Sequence, residues 1–179
     1  MTSEGGATDG EGWFAGDSHR FPLRVYWEDT DAGGIVYHAN YLRFFERARS
    51  DLLTCLGIRQ QVLLQEAGLA FAVTGMALRF RRPAKLEDRL QVATRLTALG
   101  GASMTLEQLC LRGAEGDGDS EGERLVEAEV RAALIDRGGR PRRLPDHISA
   151  AFGPVAATLS PKSSRISDTQ HTLGRGHGN

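Results

Sequence analysis

Within the run Glu28-Asp29-Thr30-Asp31-Ala32-Gly33-Gly34-Ile35-Val36-Tyr37-His38-Ala39-Asn40-Tyr41, carboxylates, glycines, aromatic rings and an imidazole share the joint between an expected strand and an expected helix. Gly33 and Gly34 give the backbone freedom that other residues lack, so Asp31 and His38 can both be turned toward the start of that helix. The unpaired backbone N–H groups there favour developing negative charge. A carboxylate, an imidazole and an oxyanion donor in one place suit acyl transfer, which needs a nucleophile or a positioned water, a donor for the oxyanion and an exit for the leaving group.

Each group also has a plainer reading. Asp29, at the end of a strand, is expected to bond its own backbone in an Asx turn, whereas the glycines, His38 and the helix start favour Asp31 as the catalytic carboxylate. Carboxylates of ordinary acidity are ionised at neutral pH and are weak bases, so Asp31 would either attack an acyl carbon directly or hold a water in attacking geometry. His38 is either a capping or core histidine or a side chain that orients the reacting groups. Tyr37 is expected to pack and to wall the acyl pocket. Arg79, Arg81, Arg82 and Lys85 form a basic cluster that is either a solvated strand end or a seat for phosphate groups. Glu46, Arg47 and Arg49 read as ion-pair partners on a helix surface or an interface. The Asp29-Thr30-Asp31 pair also suggests a magnesium-dependent phosphatase, but that chemistry needs a parallel α/β sheet and further acidic and lysine motifs that the chain does not show.

The elements that must position these groups follow from periodicity. Leu23, Val25 and Trp27 alternate with Arg24, Tyr26 and Glu28, which predicts a first strand running into the acidic loop. From Ala39 the period becomes helical through Tyr41, Phe44, Phe45, Ala48, Leu52, Cys55 and Leu56, with Asn40 as the expected N-cap and Gly57 as the stop. Ile58 to Gly68 reads as irregular. Strands are then expected from Phe71 to Phe80 with a bulge at Gly75, from Leu90 to Leu96, from Ala102 to Cys110 after the Gly100-Gly101 turn, and from Leu125 to Ile135. The Gly138-Gly139 turn and a short helix over Pro145 to Phe152 follow. One strand, one long buried helix and four consecutive strands exclude a doubly wound fold and predict an α+β domain, an antiparallel five-stranded sheet wrapped around a long central helix.

Composition bounds the rest. The chain has 179 residues, 40% of them hydrophobic and 25% charged, which suits one domain with a sizeable core. A net charge of -1 gives no footprint for nucleic acid or for a membrane surface. Lacking a long apolar run or a basic leader, the sequence reads as cytoplasmic, with no membrane span. Cys55 and Cys110 lack metal-ligand spacing and read as reduced, half-buried thiols rather than a disulfide or metal ligands, and no metal site is expected. Residues 1–20 and 156–179 are poor in core-forming residues and are expected to be disordered tails flanking a domain over 21–155. His171 and His177 fall in the second tail, where a solvated terminus is favoured over metal binding.

The run Arg24 to Tyr41, with Phe45-Glu46-Arg47-Ala48-Arg49, Phe80-Arg81-Arg82-Pro83-Ala84-Lys85-Leu86-Glu87-Asp88 and Glu127-Ala128-Glu129-Val130, resembles the acyl-CoA thioesterases of the hotdog fold over about residues 21–153. Among them it is most similar to the Tol-Pal-associated branch of the 4-hydroxybenzoyl-CoA thioesterase family. The resemblance implies an enzyme that hydrolyses acyl-coenzyme A. Asp31 matches the catalytic carboxylate, and the His38 backbone N–H matches the donor to the thioester carbonyl, with the His38 side chain as a second catalytic candidate. Tyr37, Arg82 and Lys85 are the expected substrate-binding residues. The Gly100-Gly101 turn lacks the basic residue that relatives often place near the coenzyme A phosphates. No cofactor is expected, since coenzyme A is part of the substrate. The implied partners are further copies of the chain, as dimer or tetramer, and an acyl carrier protein. A non-catalytic module that holds an acyl group on coenzyme A or acyl carrier protein, within a membrane-associated complex, is the alternative.

Overall fold

The computed structural model describes residues 11–113 and 122–152. Its strands are β1 (Trp13–Ala15), β2 (Ser18–Arg24), β3 (Leu69–Phe80), β4 (Arg89–Leu99), β5 (Ser103–Arg112) and β6 (Glu123–Asp136). All pair antiparallel in one six-stranded sheet of order β1-β2-β4-β5-β6-β3. The long helix α1 (Asn40–Cys55) lies against β2, β4 and β5, and the short helices α2 (Gln60–Val62) and α3 (Asp146–Ala151) come later in the chain.

α1 forms because its apolar residues recur on one face. Tyr41, Phe44, Phe45, Ala48 and Leu52 are all buried, and Phe45 and Ala48 have no exposed surface at all. Truncating a buried phenylalanine such as Phe45 to alanine costs about 3–5 kcal/mol, so this face anchors the helix to the sheet. Gly57 ends the run in a left-handed conformation (φ +75°), its N–H donating to Thr54 O at 2.9 Å. The helix is also fastened by a buried polar network. Gln108 on β5 donates to Phe45 O (3.1 Å) and Thr94 Oγ1 (3.0 Å) and accepts from Arg49 at 2.7 Å. Arg49 is therefore a half-buried strut from helix to sheet rather than the surface ion-pair partner expected, and burial pulls its pKa down from the ordinary arginine value.

The sheet has six strands where five were expected, because residues 13–20, assigned to an N-terminal tail, are paired. Trp13 sits opposite Arg20, and the register of β2 on β4 runs from His19 opposite Thr94 to Arg24 opposite Arg89. The first strand accordingly ends earlier than its alternation suggested. After Arg24, Val25 N–H still reaches Asp88 O (3.0 Å), but Trp27 to Asp29 coil into a 3₁₀ turn and Trp27, expected to point inward, is 79% exposed. Pro22 is tolerated inside β2 because β1 pairs only residues 18–20, so the missing N–H falls on an open edge.

Asn40 does not cap α1. The N-cap is Ala39, with no side-chain bond, and Asn40 lies in the first turn with Nδ2 donating to Asp29 O at 2.9 Å. Within the stretch Ile58 to Gly68, Gln60 to Ala67 is helical rather than irregular, with α2 running into a wide turn over Leu63–Ala67. The bulge at Gly75 is present as a register shift between Val73 and Gly75. Both cysteines are free, but they are not alike. Cys110 is fully buried and its thiol is pushed up to about 12, whereas Cys55 is exposed. Residues 1–10, most of the loop Gly113 to Glu123 and the expected C-terminal tail with His171 and His177 lie outside the described residues. Among the described residues no helix is long and apolar enough to cross a membrane.

Candidate active site

The loop between β2 and α1 is built on Asp29. Its carboxylate is buried and accepts the Tyr26 N–H at 2.9 Å, which starts the 3₁₀ turn, while its carbonyl accepts from Tyr37 N (2.9 Å) and Asn40 Nδ2 (2.9 Å). Asp29 is thus a buried structural hub that organises the loop, although its carboxylate reaches back to Tyr26 rather than forward to its own following backbone as an Asx turn would.

Asp31 sits at the tip of the loop and is exposed. The backbone closes around it through Asp31 N to Ile35 O (3.0 Å) and Gly34 N to Asp31 O (2.9 Å), and Oδ1 accepts the Gly33 N–H at 2.8 Å. A Cβ on Gly33 would come within 3.0 Å of that oxygen, and Gly34 adopts φ +72°, so both glycines are needed for the turn that presents the carboxylate. Oδ2 has no partner among the described residues. One oxygen is pinned and the other is available.

The loop is held against the segment after β3. Val36 N–H donates to Ala84 O (2.9 Å), Ile35 pairs with Lys85, and the Ala84 N–H is accepted by the Tyr41 hydroxyl at 2.9 Å. Tyr41 is buried, which raises its pKa, and its ring meets Phe44 and Phe80 edge-on with centroids 5.8 and 5.9 Å apart. Around this junction opens a cleft of about 340 Å³ whose walls include Asp31, His38, Tyr41, Phe80 and Arg82.

Of the residues singled out in the sequence, Asp31, His38 and Arg82 therefore share one cleft. His38 is exposed, and its backbone N–H donates to no group among the described residues. Lying just before α1, that N–H is free to polarise a carbonyl. Tyr37 does not wall the cleft. Its ring, 46% exposed, stands beside the His38 ring with centroids 4.4 Å apart. Lys85 also lies outside the cleft lining, with its backbone N–H turned to Asp88 Oδ2 at 2.8 Å.

Two members of the basic cluster, Arg81 and Arg82, are paired with acidic groups. Arg81 pairs with Glu127 at 3.2 Å and Arg82 with Glu123 at 3.1 Å, and Glu123 also takes Arg112, whose guanidinium reaches Asp88 at 2.9 Å. Those two carboxylates raise the Arg112 pKa further. Exposed pairs of this kind are worth little individually and exchange readily for an incoming anion. The functional residues that sequence reasoning undervalued are Tyr41 and Phe80. Tyr41 had the signature of core packing, and Phe80, expected only as the end of a strand, reaches the cleft through tertiary docking.

The chain matches the thioesterase-like superfamily over residues 25–152. It is 44% identical over 133 residues to the acyl-CoA thioesterase YbgC of Haemophilus influenzae, covering 74% of this chain and 92% of that protein. To the acyl-CoA thioester hydrolase YbgC of Escherichia coli O157:H7 it is 41% identical over 134 residues, covering 74% and 94%. Among solved structures, a probable thioesterase from Bartonella henselae superposes with a TM-score of 0.65 at 43% identity, covering 72% of this chain and 99% of that one.

Proposed function

Because this chain belongs to the thioesterase-like superfamily, and is by that membership a hotdog-fold thioester hydrolase, we propose that it cleaves acyl-coenzyme A by a carboxylate-dependent step at the entrance to α1. The observation that carries the mechanism is the half-committed carboxylate of Asp31, with Oδ1 tied to Gly33 and Oδ2 open to the cleft shared with His38. In this reading Oδ2 orients a water and accepts its proton as the water oxygen attacks the thioester carbon. The carbonyl oxygen gathers negative charge against the free His38 N–H, the C–S bond breaks, and the thiolate recovers the proton. A thiolate leaves readily, so the demand falls on positioning and on the oxyanion, where one donor is worth about 3 kcal/mol.

The aromatic wall of Tyr41 and Phe80 suits the acyl side of the substrate. Arg82, whose exposed ion pair an incoming polyanion can displace, suits the nucleotide phosphates at the rim. Asp31→Asn tests the reading: it preserves shape but removes the anion, so turnover of a panel of acyl-CoA thioesters falls by about a hundredfold or more while a non-hydrolysable analogue still binds. Near wild-type hydrolysis by that variant would return Asp31 to the role of a turn residue and favour a binding module.

A further inference from the structure

At the far end of α1, three side chains that are distant in sequence converge under the β1–β2 hairpin. His19 Nε2 lies 2.7 Å from Asp51 Oδ2, and Cys55 Sγ lies 3.8 Å from the same nitrogen and 3.6 Å from the same oxygen. We propose that His19, Asp51 and Cys55 form a zinc site that clips the N-terminal hairpin to the C-terminal end of α1.

The geometry fits a tetrahedral ion. Zinc bonds of about 2.0–2.3 Å set neighbouring ligand atoms roughly 3.3–3.6 Å apart. The two sulfur separations are already close to that range. The imidazole and carboxylate, now drawn together by a shared proton, part by roughly half an ångström once the ion takes its place. A mixed nitrogen, oxygen and sulfur set favours zinc over calcium or magnesium, which take oxygen ligands.

Gly12 supplies the space and the support. A Cβ there would lie 2.2 Å from Asp51 Oδ2 and 2.3 Å from His19 Nε2, so only glycine leaves the gap beside the two ligand atoms open. Its N–H donates to Asp51 Oδ2 at 3.0 Å and would hold the carboxylate while another lone pair meets the ion. Without the ion, that oxygen takes the Gly12 N–H and the His19 imidazole, while the single Cys55 thiol proton has only long contacts, 3.6 Å to Asp51 Oδ2 and to Gly12 O and 3.8 Å to His19 Nε2. Cys55 is exposed and gives the ion a path in, with a water as the fourth ligand.

A nucleophilic triad does not fit the same atoms. Cysteine and aspartate meet the same imidazole nitrogen rather than opposite ones, and burial and the nearby Asp51 push the Cys55 thiol up to about 11. On binding, the thiol proton is released to solvent and the imidazole proton moves from Nε2 to Nδ1, one proton lost per ion. Nδ1 is buried with no partner among the described residues, and a histidine ligand lacking that outer contact binds roughly 10–100-fold less tightly than one that has it.

The test uses the full chain, freed of metal by dialysis and titrated with Co2+ and then Zn2+. Expected are the intense visible bands of tetrahedral cobalt with a sulfur-to-cobalt charge-transfer band in the near ultraviolet, displacement by one equivalent of Zn2+, and a higher Tm with Zn2+. Cys55→Ala, at an exposed position that leaves the core intact, abolishes the charge-transfer band and weakens Zn2+ binding by about a hundredfold, and Asp51→Asn weakens it as well. A Zn2+ affinity unchanged in Cys55→Ala overturns the proposal, as does binding that disappears instead when His171 and His177 are replaced.

Discussion

Asp29 and Asp31 are the same residue type two positions apart, and what surrounds each carboxylate separates their roles. Each accepts one backbone N–H, Asp29 Oδ2 that of Tyr26 and Asp31 Oδ1 that of Gly33, but Asp29 is buried away from the cleft whereas Asp31 is exposed on its wall. The same reasoning divides His38 into a backbone donor and a side chain. If the N–H carries the oxyanion, His38→Ala leaves it in place, and turnover falls by about tenfold or less, well short of the Asp31→Asn effect, as read from kcat on a common acyl-CoA substrate. A loss equal to that of Asp31→Asn would place the imidazole itself in the reaction.

At the scale of elements, the β1–β2 hairpin matters more than its length suggests, because it carries His19 into a fully buried position against α1. Burial outweighs the bond to Asp51 and holds the His19 pKa below its ordinary 6.5, so the imidazole meets Asp51 as a neutral donor although the pair is close enough for an ion pair. The sign follows from linkage: as pH falls below about 6.5 the unfolded chain takes the proton before the folded one, and stability is lost down to the folded pKa. The Tm is therefore expected to fall as pH drops below about 6.5, read by thermal melts without metal. In His19→Gln the Tm is lower throughout and its pH slope in that window is shallower.

For the whole molecule, the hairpin revises where the domain begins. A chain starting at Arg20 would lose β1 and the first two residues of β2, Ser18 and His19, and its Tm is expected to drop by at least about 5 °C relative to one starting at Glu11, in differential scanning calorimetry. The other boundary condition is assembly. β3 is a long edge strand with no outer neighbour among the described residues, and Val73 and Phe80 on it are 47% and 52% exposed. Such an edge is costly to leave open, so a homodimer or a dimer of dimers is expected, with the cleft beside Phe80 near the interface. Light scattering that finds an active monomer at assay concentration would refute this.

Hydrophobic spacing and turn residues alone determined the long helix, the four-strand succession after it, the bulge at Gly75 and the loop that carries Asp31, because each is a local preference repeated over many residues. The family was legible for the same reason, in a contiguous motif. What remained hidden was decided by partners far along the chain. The β1–β2 hairpin is ordered by β4 and α1 rather than by its own local propensity, and Asn40 serves the Asp29 carbonyl instead of capping its own helix. Phe80 reaches Tyr41, and His19 reaches Asp51 and Cys55, only once the sheet has closed around the helix. Period and propensity describe a residue's own neighbourhood, whereas these contacts depend on which strand lies opposite, a choice made by burial over the whole domain.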